Sequence, residues 1–254
     1  MTNLLHSNHA LPTSSPVAPI QFTQAGQWPI YLVTDEELCA QTGRSVARTV
    51  QLAISGSVNA VQVRHKGSAA QFLDQVEQVC AVLPAGIPCI INDRVDVFLA
   101  AKARGLPVHG VHVGQSDLPI GVVRSLIGQD AILGLSISTP DEVHSAEQDA
   151  ARVDYLGAGP LHATTTKPDA APALGQTQLE RIIARAHLPV IAIGGIKHEH
   201  AAVLRTIGAS GIAVVSALCT APDPQSAARE LLSEWNRGRP RKANSYESAG
   251  VDVY

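Results

Sequence analysis

From residue 30 to residue 215 the chain alternates between short apolar runs and longer stretches whose apolar residues recur at helical spacing. The apolar runs lie at 30–33, 60–64, 89–91, 108–113, 132–136, 155–157, 190–193 and 211–215. Each is short and lacks the polar alternation of a half-exposed strand, as expected of a strand covered on both faces. Helical spacing is found at 43–55, 69–83, 95–103, 120–127, 140–149, 179–186, 198–207 and 224–235. Eight strand–helix alternations in a chain of this size predict one α/β domain, a closed (β/α)8 barrel. The competing architecture is an open doubly wound sheet, whose dinucleotide-binding type carries GxGxxG after the first strand. Here Val33 is followed by Thr34, Asp35 and Glu36, so the barrel is favoured. It is expected over 28–236. Residues 1–27 are polar and Pro/Ser-rich and are expected to form a disordered extension; 237–254, which includes RGRPRK, is expected to be a flexible tail.

Composition narrows the function classes. A hydrophobic fraction of 45% allows a large core, and a net charge of −3 implies no polyanion partner, so no nucleic acid is expected. No apolar run is long enough to span a membrane, and the first residues lack a basic region followed by an apolar segment. The four cysteines show no CxxC spacing and read as reduced thiols of a cytoplasmic protein.

In a barrel the residues just after each strand share one rim, and that rim is where sites form. Asp93 and Asp117 follow the third and fourth strands. Two carboxylates there suit one Mg²⁺, a hard cation that takes one or two protein carboxylates plus substrate phosphates. Capping of the following helices is an equal alternative. After the second strand, period two turns Gln62, Arg64 and Lys66 toward the barrel mouth, two cations for an anion and an amide for a heterocycle edge. Ser136 ends the fifth strand as a possible donor, while Ser138 or Thr139 suits the helix cap better. The longest loop, 157–175, carries Thr164, Thr165, Thr166 and Lys167, a set suited to phosphate, on a segment suited to a lid. Gly194–Gly195 and Val215–Ser216 precede the last two helices, where barrels of this class often bind phosphate through backbone N–H groups. His162 reads as a solvated loop histidine, and the i, i+2 spacing of His198 and His200 argues against a shared metal. The rim thus offers two anion sites and a carboxylate pair, which suits two phosphorylated small molecules, one of them metal-bound.

The stretches YLVTD (31–35), VQVRHKG (61–67), IINDRVDVFLA (90–100), GVHVGQSDLP (110–119), LGLSIST (133–139), DYLGAGP (154–160), TTTKPDA (164–170), AIGGI (192–196) and GIAVVSAL (211–218) occur in this order. Together they resemble the thiamine-phosphate synthase family, which couples a hydroxymethylpyrimidine pyrophosphate to a thiazole phosphate. The resemblance implies that Gln62, Arg64, Lys66, Asn92, Ser136 and Lys167 hold the pyrimidine pyrophosphate. Arg64, Lys66, Lys167 and Ser136 would be its catalytic groups. Asp93 and Asp117 would hold Mg²⁺, and Thr164, Thr166, Gly195, Val215 and Ser216 the thiazole phosphate. It also implies a dissociative reaction, in which pyrophosphate leaves before the thiazole nitrogen attacks. A homo-oligomer is possible. The chain departs from the family's usual residues at Val63, His65, His162 and Ala163. A paralogous thiazole tautomerase resembles Gly-His where this chain has Gly159-Pro160, and a non-catalytic sensor of a phosphorylated precursor would need no paired carboxylates.

Overall fold

The structure is a computed structural model and describes residues 28–163 and 172–239. The expected extension (1–27), most of the expected tail and loop residues 164–171 lie outside the described residues. The strands are β1 (Ile30–Val33), β2 (Ala60–Val63), β3 (Cys89–Asn92), β4 (Gly110–Val113), β5 (Ile132–Ile137), β6 (Tyr155–Ala158), β7 (Val190–Ile193) and β8 (Gly211–Val214). All neighbours pair in parallel and β1 pairs with β8, so the sheet closes in sequence order. The helices are α1 (Glu36–Ala40), α2 (Val46–Ser55), α3 (Ala69–Cys80), α4 (Val95–Ala103), α5 (Ile120–Ile127), α6 (Pro140–Gln148), α7 (Gly175–Arg185), α8 (His198–Thr206), α9 (Ser216–Cys219) and α10 (Pro224–Arg237). The expected (β/α)8 barrel is therefore the observed fold.

The differences from expectation are local. β4 starts at Gly110 and not at Val108, and β2 stops at Val63, one residue before Arg64. Helix α2 begins at Val46 because Ser45 caps it, its side chain accepting from Arg48 N–H. Helix α7 begins four residues earlier than the apolar pattern, since its first turn is polar. The short helices α1 and α9 are additional to the pattern. Asp35 followed by Glu36 and Glu37 is a start signal for α1.

Period-two alternation divides the core in two. Outward residues such as Leu32, Val61, Val63, Ile91, Val111, Leu135 and Val214 pack under the helices. Inward residues Tyr31, Val33, Ala60, Ile90, Ile132, Tyr155, Ile191 and Ala213 form a separate cluster inside the barrel. Trp28, just ahead of β1, closes its floor, with ring centroids 5.4 Å from Tyr31 and 5.4 Å from Tyr155. On the same face the buried Arg124 of α5 donates to the carbonyls of Gly128, Ala131, Ala151 and Arg152 and pairs with Asp154 at 3.0 Å. That guanidinium ties α5 to the segments entering β5 and β6, leaving the opposite rim to the site. The four cysteines are free thiols and buried, Cys39 within hydrogen-bonding reach of Cys219 and Cys80 of Cys89.

Truncating Trp28 to alanine would open the floor and strip two aromatic neighbours. The expected cost is about 3–5 kcal/mol, read from urea unfolding midpoints at unchanged m-value.

Candidate active site

The C-terminal ends of the strands open on a cavity of about 440 Å³. On one side stand Gln62, Arg64, Asn92 and Ser136; on the other, Gly194, Gly195, Val215 and Ser216. Gln62 is buried at 4% exposure, and its Nε2 donates to the Tyr31 hydroxyl at 2.9 Å. Ser136 Oγ lies 2.9 Å from His112 Nε2. Gly194 and Gly195 both take positive φ, 99° and 65°, a conformation that favours glycine and lets the chain turn at the end of β7. Gly195 also lies against His162, whose ring packs 4.5 Å from that of His200.

Arg64 and Lys66 part company. The period that would aim both at the mouth ends with β2 at Val63. Arg64 lines the cavity and also a groove on the outer rim, whereas Lys66 lines only that groove and is exposed. Both are held by acids at the start of α1. Arg64 pairs with Asp35 at 2.9 Å, His65 with Glu36 at 3.1 Å and Lys66 with Glu37 at 2.9 Å. Each rung spans the 29 residues of the β1–β2 register, in which Leu32 faces Val61 and Val33 faces Gln62. The ladder is thus the strand pairing continued beyond the sheet. His65 Nδ1 accepts from Gly67 N–H at 2.7 Å and its ring stacks on Phe72, so Nε2 carries the proton toward Glu36.

Asp93 and Asp117 are not the helix caps that the alternative reading made them. The N-cap positions of α4 and α5 are Arg94 and Pro119, without side-chain cap bonds. Asp93 stands at φ 59°, a left-handed conformation that Asp tolerates better than most residues, and its N–H donates to the His112 carbonyl at 2.8 Å. Asp117 is exposed and accepts Gly114 N–H at 2.7 Å. Among the described residues no group of three His, Cys, Asp or Glu side chains is placed to hold a metal. Neither aspartate lines the cavity, although their neighbours Asn92, Gly114 and Ser116 do; each offers hard oxygen donors, the type that Mg²⁺ takes when phosphate oxygens complete the shell. Thr164, Thr166 and Lys167 lie outside the described residues. The cap of α6 is Thr139, in a capping box with Glu142.

Reading strand ends alone missed Tyr31, His112 and Tyr155, which line the cavity from within the strands. The signal existed: His112 stands between Val111 and Val113, a polar residue on the inward phase of an apolar run.

Comparison with known proteins then places the chain. The sequence model of the family described as thiamine monophosphate synthase matches residues 30–218. The thiamine-phosphate synthase of Syntrophomonas wolfei is 40% identical over 210 residues, 82% of this chain and 96% of that protein. That of Chloroflexus aurantiacus is 44% identical over 206 residues, 80% of this chain and 91% of its own length. Among solved structures, a thiamine phosphate pyrophosphorylase from Pyrococcus furiosus superposes with a TM-score of 0.73 at 30% identity, covering 84% of this chain and 98% of its own.

Asp35 does two jobs at this rim. Its Oδ1 caps α1 through Leu38 N–H at 3.1 Å, and its Oδ2 holds Arg64. Asp35→Ala is expected to lose both and to cost about 2 kcal/mol. Asp35→Asn keeps the cap oxygen and is expected to cost less than half of that. Urea unfolding of the two variants side by side checks the order.

Proposed function

The chain belongs to the thiamine monophosphate synthase family, and from that premise we propose that its rim cavity joins a pyrimidine methyl pyrophosphate to a thiazole phosphate, releasing pyrophosphate. One observation carries the assignment of the two substrates: Gln62, Arg64, Asn92 and Ser136 face Gly195, Val215 and Ser216 across a single cavity. Its volume of about 440 Å³ suits a ligand of the product's size.

Gln62 and Ser136 receive the heterocycle, with Asn92 beside them. Arg64 meets the pyrophosphate from the cavity wall, as a planar fork that matches phosphate oxygens. Lys66 approaches from the outer rim once the anion competes with Glu37 for it, an exchange made easier by the pair's exposure. Lys167 on the loop supplies a third positive charge. Asp93 and Asp117 would hold Mg²⁺, which supplies charge neutralisation at the departing pyrophosphate. The leaving group departs as an anion and needs no general acid, in keeping with a dissociative cleavage to a pyrimidine methyl cation. The thiazole phosphate is held by backbone N–H groups at Gly195 and Val215–Ser216, with Thr164 and Thr166 from the loop. Fixing the thiazole nitrogen against the cation then does the rest, since orientation alone supplies roughly 7–11 kcal/mol. Pro160, at the position where the tautomerase carries histidine, lines the cavity and offers no titratable group. No helix of the described residues is long and apolar enough to cross a membrane. A cytoplasmic enzyme of small-molecule substrates is the reading proposed.

Purified chain incubated with both substrates is expected to make thiamine phosphate with Mg²⁺ and none with EDTA; product at equal rates in both would remove the metal from the reading. Asp93→Asn retains a residue that tolerates the left-handed backbone but loses the charge. It is expected to lower Mg²⁺-dependent turnover by on the order of 100-fold with an unchanged circular dichroism spectrum. Lys167→Ala is expected to raise KM for the pyrophosphate substrate more than for the thiazole phosphate, and equal rises would count against its assigned place.

A further inference from the structure

Below the cavity mouth, the barrel interior holds a run of polar side chains, and three of them, Tyr31, Tyr155 and His112, are left unused by the substrate assignments. Gln62 Nε2 donates to the Tyr31 hydroxyl at 2.9 Å. The Tyr31 and Tyr155 hydroxyls lie 3.0 Å apart. The Tyr155 hydroxyl is 2.9 Å from His112 Nδ1, and His112 Nε2 is 2.9 Å from Ser136 Oγ. The two phenols are essentially inaccessible, at 1% and 0% exposure. The chain crosses five strands, and both its ends, Gln62 and Ser136, face the cavity. Space for it is cleared by inward glycines: a Cβ on Gly134 would strike both the Tyr155 ring and His112 Nδ1, and one on Gly157 would lie 2.8 Å from His112 Cε1.

One order of protons gives each buried hydroxyl along this run an acceptor. An amide nitrogen only donates, so the Tyr31 oxygen accepts from Gln62 and spends its own proton on Tyr155. In that order Tyr155 gives its proton to His112 Nδ1. A neutral imidazole that accepts at Nδ1 carries its hydrogen on Nε2, and this hydrogen goes to Ser136. Burial pushes both phenols well above the usual tyrosine range, which keeps them protonated as the order demands. At the two ends, the Gln62 carbonyl oxygen is left as an acceptor and the Ser136 hydroxyl proton as a donor.

We propose that Tyr31, Tyr155 and His112 are positioning residues that set this polarity, so that the cavity selects a heterocycle edge with an amino N–H beside a bare ring nitrogen and rejects the oxo analogue. The inference rests on the reading that Gln62 and Ser136 hold the pyrimidine. An oxo-pyrimidine presents the reverse pattern, a carbonyl beside a ring N–H, and would set acceptor against acceptor and donor against donor. A site with fixed buried polar groups discriminates strongly, because the wrong ligand leaves them unpaired.

Two measurements test it. The first is ¹⁵N NMR of the imidazoles in the ligand-free full chain, with the His112 signal assigned by its loss in His112→Gln. The Nε2–H tautomer is expected, and an Nδ1–H tautomer or a doubly protonated ring at neutral pH overturns the relay. The second is steady-state kinetics of Tyr155→Phe, which keeps the ring and removes the link. KM for the aminopyrimidine pyrophosphate is expected to rise about tenfold, KM for the thiazole phosphate to stay within about twofold, and discrimination against the oxo analogue to fall. Equal changes for both substrates, or none, overturn the proposal. Tyr31→Phe breaks the chain one link earlier and is read in the same way if Tyr155→Phe does not fold. A wild-type chain that shows the Nε2–H tautomer but makes no thiamine phosphate supports the relay and overturns the functional reading, so the two failures are distinguishable.

Discussion

Closure of the sheet is the constraint on which everything else rests. Strands of four to six residues leave no spare backbone, and pairing β8 with β1 removes the open edges that would expose unpaired N–H and C=O groups. Once all strands run parallel in a ring, every carboxyl end meets one rim. Period two then leaves each residue one of two destinations, the helical sheath or the barrel interior. Leu32 and Val61 go outward, while Tyr31 and Gln62 go inward.

The interior is graded from floor to mouth. At the floor Trp28 packs on Tyr31 and Tyr155, beside Ile90, Ile132, Ile191 and Ala213. Higher up the same phase carries Gln62, Asn92, His112 and Ser136. The two tyrosines join these layers, since each presents a ring to the apolar floor and a hydroxyl to the polar level above. Apolar packing below therefore holds the polar groups above in fixed positions, and a dry surround makes their hydrogen bonds stronger than they would be in water.

The rim has a different logic. Asp35, Glu36 and Glu37 hold Arg64, His65 and Lys66 in the absence of an anion. Only the first rung is largely shielded, because Asp35 is buried and also caps α1. That rung positions the guanidinium at the cavity wall. The Lys66–Glu37 rung is exposed and weak, so its lysine is the more easily released of the two cations. One strand register thus produces a fixed cation and an exchangeable one side by side.

The eight strands, the longer helix that follows each of them and the choice of a closed barrel were all legible in the sequence, because burial on both faces and helical spacing are local patterns. So were Gln62, Arg64, Asn92, Ser136, Gly195, Val215 and Ser216 as rim residues, since strand ends share a face in any such barrel. Only the tertiary structure separated Lys66 from the cavity, because period two lapses where β2 ends. Only it showed Asp93 in a left-handed turn and not at a helix cap. The acid ladder and the Gln62-to-Ser136 relay were equally out of reach. The first depends on the 29-residue offset of two paired strands, the second on side chains that meet across the ring, with Tyr31 and Tyr155 separated by 124 residues. Alternation along a strand says which way a side chain points; which partner it meets there is decided by the register and closure of the whole sheet.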